Sequence, residues 1–435
     1  MGSRFRWWRM LESEGEDWMI KQIVKALKAK EVYAYKIEEK STISHQAFFV
    51  LGKLETNRMV NTNEYLVTVY KQFDEFLGSS SFTLSHKVSK KELETLIDNC
   101  LYAASFVKNK KYDLPVGEKK KTFTEKPLAV DVNQAIDQIA HCFIDLHEEN
   151  IRFNALEIFY NTTKTTLVNS NGVNYSKTLS DVMGEAIPSF DGVEKVELYK
   201  QFHYKDLDFD AIKRNAVEAL EDVKARYAAK PIKDVSKLDV ILSNEDILEF
   251  FRNVIMDYSY QSIYKGNTNK RIGDLIQDEN ANQLINLSLM PSSKADGFDD
   301  DGILLNKFEV IKDGRLVNYF GGAQYASYLD LKPLGSARKI YVSKGKTSYK
   351  EMTKKPYLRI IALSGIQIET YSDYIGGEVR LAIYFDGEKE IPVSSFSFSG
   401  SYKEALKTLS LSKEEISIRN YQGPKYLKIK DMDIL

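Results

Sequence analysis

Leu238-Asp239-Val240-Ile241-Leu242, then Ser243, then Asn244-Glu245-Asp246-Ile247-Leu248-Glu249-Phe250-Phe251-Arg252-Asn253-Val254-Ile255-Met256-Asp257 is the stretch on which the fold turns. The apolar run reads as a strand, Ser243 as a helix N-cap, and the run after it as a helix. Further on, the acidic turn Phe298-Asp299-Asp300-Asp301-Gly302 precedes a hairpin with Asp313-Gly314 between Phe308–Lys312 and Arg315–Phe320. A strand, a helix on its end and an acidic loop nearby is a layout that would hold a catalytic metal. Yet this helix carries no His and no Cys, and neither does any residue after His203.

Working outward, the 435 residues are enough for a large core and for two domains or more. Sixty-one Lys+Arg stand against 62 Asp+Glu, so overall charge provides no drive towards nucleic acid or an anionic membrane. No apolar run approaches a bilayer span, and no signal peptide with an apolar centre is present. The two cysteines, Cys100 and Cys142, fall inside helix-like apolar patterns and read as small core hydrophobes in a reducing cytoplasm. Residues 1–16, with Arg4-Phe5-Arg6-Trp7-Trp8-Arg9, read as a tag remnant or disordered arm, and Met19 is a credible alternative start.

The segment 17–230 reads as an α+β domain. An amphipathic helix from Asp17 carries Ile20, Ile23, Val24 and Leu27 on one face. Strands are expected at Val32–Ile37, Phe48–Leu54 and Glu64–Tyr70. Ser89 to Glu92 is a capping box that opens a helix. Leu114–Lys126 reads as a loop, Asp131–Glu149 and Asp208–Ala229 as helices, and Asn169 to Gly172 as a turn between strands. The stretch from Ala228 to Lys237 marks the boundary. The segment 231–435 is rich in strands, with a second hairpin at Asp386-Gly387 joining Glu378–Phe385 to Glu390–Phe398. A helix is expected to start at Ser401, and Tyr426–Leu435 to close the domain as a strand.

Side chains able to do chemistry are sparse. The five histidines are His45, His86, His141, His147 and His203, and His147-Glu148 lacks the second His of a zincin motif. No phosphate-binding loop, dinucleotide fingerprint or nucleophile elbow occurs. Asp299, Asp300 and Asp301 suit a hard cation, but together with Asp296 they lack EF-hand spacing. A solvated turn that caps a neighbouring element is the expected role.

The order of these pieces resembles the TldD/PmbA family, also called modulators of DNA gyrase. Val168 to Gly172 resembles its Asn-Ser-x-Gly turn, and Val240 to Ser243 the strand before its signature helix. Phe298 to Gly302, followed by Ile311, Gly314, Leu316 and Tyr319, resembles its FDDEG block. Glu388 to Val393 with Phe398-Ser399-Gly400 resembles its C-terminal pattern. The resemblance implies two kinds of chain: TldD-type zinc metallopeptidases, with HExxxH on that helix and a C-terminal Cys ligand, and PmbA/TldE-type chains that lack these ligands and pair with a TldD-type chain. Counted from the strand, the HExxxH positions fall on Arg252, Asn253 and Asp257. A guanidinium cannot ligate a metal, an amide is no general base, and no Cys remains to supply a thiolate.

The expectation is therefore a non-catalytic PmbA/TldE-like subunit of a cytoplasmic zinc peptidase complex. Its N-terminal α+β domain would precede a strand-rich C-terminal domain of the PmbA/TldD type. Catalytic residues, resident metal and cofactor are expected to be absent from this chain, the zinc lying in the partner. Peptides or unfolded polypeptides are the implied substrates. Alone, the chain is expected to form a homodimer, with no membrane and no direct nucleic-acid binding. Arg252 and Asp257 are expected to meet as an ion pair in place of the metal. Two other readings remain: a stand-alone metal-dependent hydrolase binding a hard metal through Asp257 and Asp299–Asp301 or borrowing His141, His147 or His203, and a binding protein that modulates a topoisomerase.

Overall fold

Sequence alternation builds the N-terminal half around two very long antiparallel hairpins. The computed structural model of the chain describes residues 14–85 and 87–435. Helix α1 (Glu14–Ala29) leads to strands β1 (Ala34–Val50), β2 (Lys53–Phe73) and β3 (Phe76–Leu84), then α2 (Lys90–Ala104), β4 (Asn109–Lys110) and β5 (Lys121–Thr124). Next come α3 (Val132–Ile144), β6 (Ile151–Asn169), β7 (Asn174–Asp191), β8 (Lys195–Glu197), β9 (Lys200–Tyr204) and α4 (Phe209–Ala228). The strands form one sheet in the order β4-β3-β2-β1-β6-β7-β5, with β8 and β9 also on β7.

Side chains two apart share a face of a strand. On β1 the residues Tyr35, Ile37, Ala47 and Phe49 are buried beneath helices, α1 and α2 at one end and α3 and α4 at the other. The opposite face carries Lys36 and Lys40, and through the paired register Thr165 and Lys177. That second face looks towards the C-terminal half. Apolar spacing thus decides which face the helices cover, and it leaves a polar face for the other domain.

The C-terminal half starts at β10 (Lys230–Pro231) and β11 (Lys237–Ser243), followed by α5 (Glu245–Met256), α6 (Tyr260–Lys265), β12 (Leu287–Met290), β13 (Phe308–Lys312), β14 (Arg315–Leu316) and α7 (Ala323–Tyr328). It continues with β15 (Lys339–Val342), α8 (Tyr349–Met352), β16 (Tyr357–Glu369), β17 (Tyr374–Phe385), β18 (Glu390–Ser394) and β19 (Phe396–Ser401). The last elements are α9 (Tyr402–Thr408), β20 (Ser410–Leu411), β21 (Glu415–Ile418), β22 (Tyr421–Pro424) and β23 (Tyr426–Ile434). Strand β19 pairs with both β17 and β23, so β17-β16-β11-β23-β19 closes on itself. A smaller sheet, β14-β13-β12-β15-β22-β21, lies beside this ring, and one core runs through both. The α+β class and the strand-rich second half are as the sequence implies.

Several boundaries differ from expectation for local reasons. The expected arm 1–16 lies outside the described residues as far as residue 13, and α1 begins at Glu14 rather than Asp17. Phe48–Leu54 is not one strand, because Leu51 and Gly52 have positive φ and turn the chain back. Lys121–Thr124 leaves the expected loop to pair in parallel with β7. Helix α3 stops at Ile144, so His147 lies past its end. Asp131, expected as its first residue, is its N-cap, and the expected capping box at Ser89 is present. Of the expected strand to Phe320 only Arg315–Leu316 forms a ladder with β13, and Phe320 bridges to Ser259 instead. Cys100 and Cys142 are buried free thiols. Among the described residues no helix is long and apolar enough to cross a membrane.

Candidate functional site

Strand β11 is paired on both sides, and its residues Val240 to Leu242 are fully buried, so the helix after it starts from a rigid base. Ser243 is the last strand residue, not the N-cap. The turn into α5 is made at Asn244, with φ 52° and no side-chain cap. Ile247, Leu248, Phe250, Phe251, Val254 and Ile255 anchor α5 in the core, the spacing of one helical stripe. That leaves Glu245, Glu249, Arg252 and Met256 along the other side.

The three positions singled out in the sequence do different things. The Arg252 guanidinium, half exposed, pairs with Glu249 one turn back. Asn253 donates its Nδ2 to the Glu249 carbonyl at 2.8 Å. Asp257 is the C-cap residue, and its Oδ2 accepts from Thr370 Oγ1 at 2.9 Å. The expected Arg252–Asp257 pair does not form. Five residues of helix rotate the second side chain roughly 140° from the first, while Glu249 lies within reach of Arg252. A guanidinium, an amide and one occupied carboxylate do not make a zinc site. Among the described residues no three His, Cys, Asp or Glu side chains gather as metal ligands.

The side of α5 that carries charge faces the seam with the N-terminal sheet. Glu245 pairs with Arg419 at 3.1 Å, and Arg419 also donates to Gln201 of β9 at 3.1 Å. Lys205 reaches Asn420 at 3.0 Å, and burial lowers its ammonium pKa. His203 holds Asp181 at 2.7 Å on the same sheet face. Burial raises the Glu245 carboxyl, and burial with the neighbouring Glu245 pushes Asp246 up to about 7. The other histidines lie elsewhere: His45 in a groove beside α3, His141 on the surface with Asp145, and His147 accepting from the Phe153 N–H. His86 lies outside the described residues.

The acidic turn is a clasp between the two halves. Asp299 is 5% exposed, and its carboxylate accepts the backbone N–H groups of Asp301, Ile303 and Ser336 at 2.9–3.0 Å. Burial raises its carboxyl, and those donors oppose the rise. Asp301 accepts from Ala323 N–H at the start of α7 and from Lys36 Nζ, both at 3.0 Å. Arg338 holds Asp300 with two contacts. Lys177 donates to Asp296 at 2.8 Å and to the Phe298 carbonyl at 2.7 Å. Burial would raise Asp296, but Lys177 and Ser292 hold its carboxyl below the usual range.

Phe298 packs into Leu167, Val173 and Tyr175 of the N-terminal sheet. Gly302 has φ 88°, and a Cβ there would meet Val173 Cγ1 at 2.9 Å. The expected capping role therefore holds at α7, but Phe298, Asp299 and Gly302 are buried, and only Asp300 in the turn is exposed. Nearby, Asn169 closes its own turn by accepting from Asn171 and Val173, and it donates to Pro115. Sequence reasoning missed Lys36, Lys177, Gln201 and Arg419 as seam residues. Strand alternation could have grouped Lys36 with Lys40, but only the pairing register brings Lys177 beside them.

Residues 235–435 match the family model for the PmbA/TldA metallopeptidase C-terminal domain. No curated protein sequence matches the chain. TldE from Thermococcus kodakarensis has a similar structure at 16% identity and a TM-score of 0.76, covering 96% of this chain and 99% of that one. A protein described as a modulator of a DNA gyrase, from Thermotoga maritima MSB8, is similar at 14% identity and TM-score 0.73, over 96% and 100% of the two chains. Another so described, from Bacteroides thetaiotaomicron VPI-5482, is similar at 16% and 0.74, over 95% and 98%. At such identities these structures establish a shared fold alone. Residues 235–435 thus match the family's C-terminal domain, and the chain shares the fold of these structures along nearly its whole length.

Proposed function

We propose that this chain is the non-catalytic, PmbA/TldE-like subunit of a cytoplasmic zinc peptidase complex, acting on peptides or unfolded polypeptides with a TldD-type chain. The observation that carries the reading is the chemistry at Arg252, Asn253 and Asp257. These residues occupy the positions where the resemblance places HExxxH, and each is committed to a contact that leaves no ligand set. A metal-binding chain would need at least three free donors there. In this reading the zinc, the general base and the scissile bond belong to the partner, and this chain contributes shape and stability. Its seam residues hold the two domains in one arrangement, which a subunit that shapes a substrate path requires.

Co-expression with a TldD-type chain tests the proposal. The mixed species is expected to cleave casein, and removal of the partner's HExxxH glutamate is expected to abolish cleavage. Cleavage of casein by this chain alone would overturn it.

A further inference from the structure

Among the described residues the longest uncovered strand edge lies on the N-terminal sheet. Strand β2 pairs with β1 along its length, but β3 covers only Tyr65–Phe73 on the other side. Among the described residues nothing pairs with the outer edge from Lys53 to Glu64. In the C-terminal half β16 is also unpaired on one side beyond Arg359, but repeated register shifts interrupt that edge. An uncovered edge of this length is a template for another strand. A bulge near Glu55 blunts its first residues, and the register is regular from Thr56 onward.

The sequence of this edge indicates what pairs with it. Thr56-Asn57-Arg58-Met59-Val60-Asn61-Thr62 is nearly palindromic about Met59. In an antiparallel pair with its own copy, centred on Met59, Thr56 meets Thr62, Asn57 meets Asn61, and Met59 meets Met59. Thr–Thr and amide–amide pairs directly across a ladder are favourable. The segment ends before Tyr65, so the β3 of neither copy obstructs it. Met59 is 56% exposed, and exposed Leu54 lines the same groove. That groove is about 620 Å3, and its lining also includes Phe49 and Ile136.

We infer that Thr56–Thr62 is a self-recognition edge, through which a second copy of this chain adds antiparallel to β2 and joins the two N-terminal sheets. The inference needs no catalytic partner and stands whether or not the proposed function holds. A ladder this short leaves the interface at the small end of the range for stable dimers, so association depends on concentration.

A cysteine placed on the two-fold axis tests it. Both native thiols are buried, so Met59→Cys introduces a single reactive site. Paired residues in an antiparallel ladder lie about 4.5–5.5 Å apart at Cα, within disulfide range. Mild oxidation of Met59→Cys is expected to give a covalent dimer. Thr56→Cys, roughly 20 Å from its mate in the same arrangement, is expected to remain monomeric. Met59→Lys is expected to abolish the concentration-dependent rise in mass by light scattering, with unchanged circular dichroism and melting. Equal crosslinking of both cysteine variants would overturn the inference. So would a wild-type monomer at high micromolar concentration, or an edge that binds carboxymethylated casein but not its own copy.

Discussion

Breaking the clasp at Lys177 tests how the two halves are held together. Lys177 and Asp296 retain only 15% and 9% side-chain exposure, and the ammonium also holds the Phe298 carbonyl and lies 4.8 Å from that ring's centroid. Removing one member of a buried pair costs about 3–5 kcal/mol, because the other charge is left unpaired. The remaining exposure lets water repay part of this, so Lys177→Met and Asp296→Asn should each cost roughly 2–4 kcal/mol. The double variant removes both charges together and should cost less than the sum by about 1–3 kcal/mol. Urea unfolding of the four proteins, followed by tryptophan fluorescence and circular dichroism, measures the cycle. Additivity within about 0.5 kcal/mol would refute the coupling. Separation of the two probes in the single variants would show the halves unfolding apart.

Other consequences are equally open to measurement. Arg252→Ala and Asp257→Ala should each cost under about 1 kcal/mol and add within about 0.5 kcal/mol; a larger coupling by thermal unfolding would restore the ion pair that the structure lacks. Gly302→Ala should destabilise by more than about 1 kcal/mol, since it adds strain at φ 88° and a clash with Val173; a neutral effect on melting would contradict that packing. Asp246 binds its proton more tightly when folded, with a pKa of about 7 against an ordinary carboxylate value when unfolded. Its contribution to stability therefore falls as pH rises from about 4 to about 7, by roughly 2–4 kcal/mol. Asp246→Asn should flatten that part of the stability profile, and an unchanged slope would sink the assignment.

Much of the fold was legible because it rests on local patterns. The apolar stripe of α5, the Ser89 capping box and the Asp-Gly turns follow from chemistry within a few residues. The turn at Leu51 and Gly52 was not, because apolar alternation runs straight through it and the bend depends on the hairpin pairing. Ser243 looked like a cap, yet pairing with Tyr426 of β23 extends the strand to it, so the bend falls at Asn244. At the site, the identity of Arg252, Asn253 and Asp257 was readable, but their partners were not. Helical rotation gave Arg252 to Glu249, and the β16–β17 connection delivered Thr370 to Asp257. The acidic turn read as a solvated loop because the lysines that meet it lie more than a hundred residues away on another sheet.

Zinc content of the purified chain tests the central claim most directly. Arg252, Asn253 and Asp257 offer one carboxylate, and carboxylates alone hold zinc weakly compared with imidazole and thiolate. After dialysis without chelator, elemental analysis should find zinc far below one ion per chain. One tightly held zinc per chain would contradict the account.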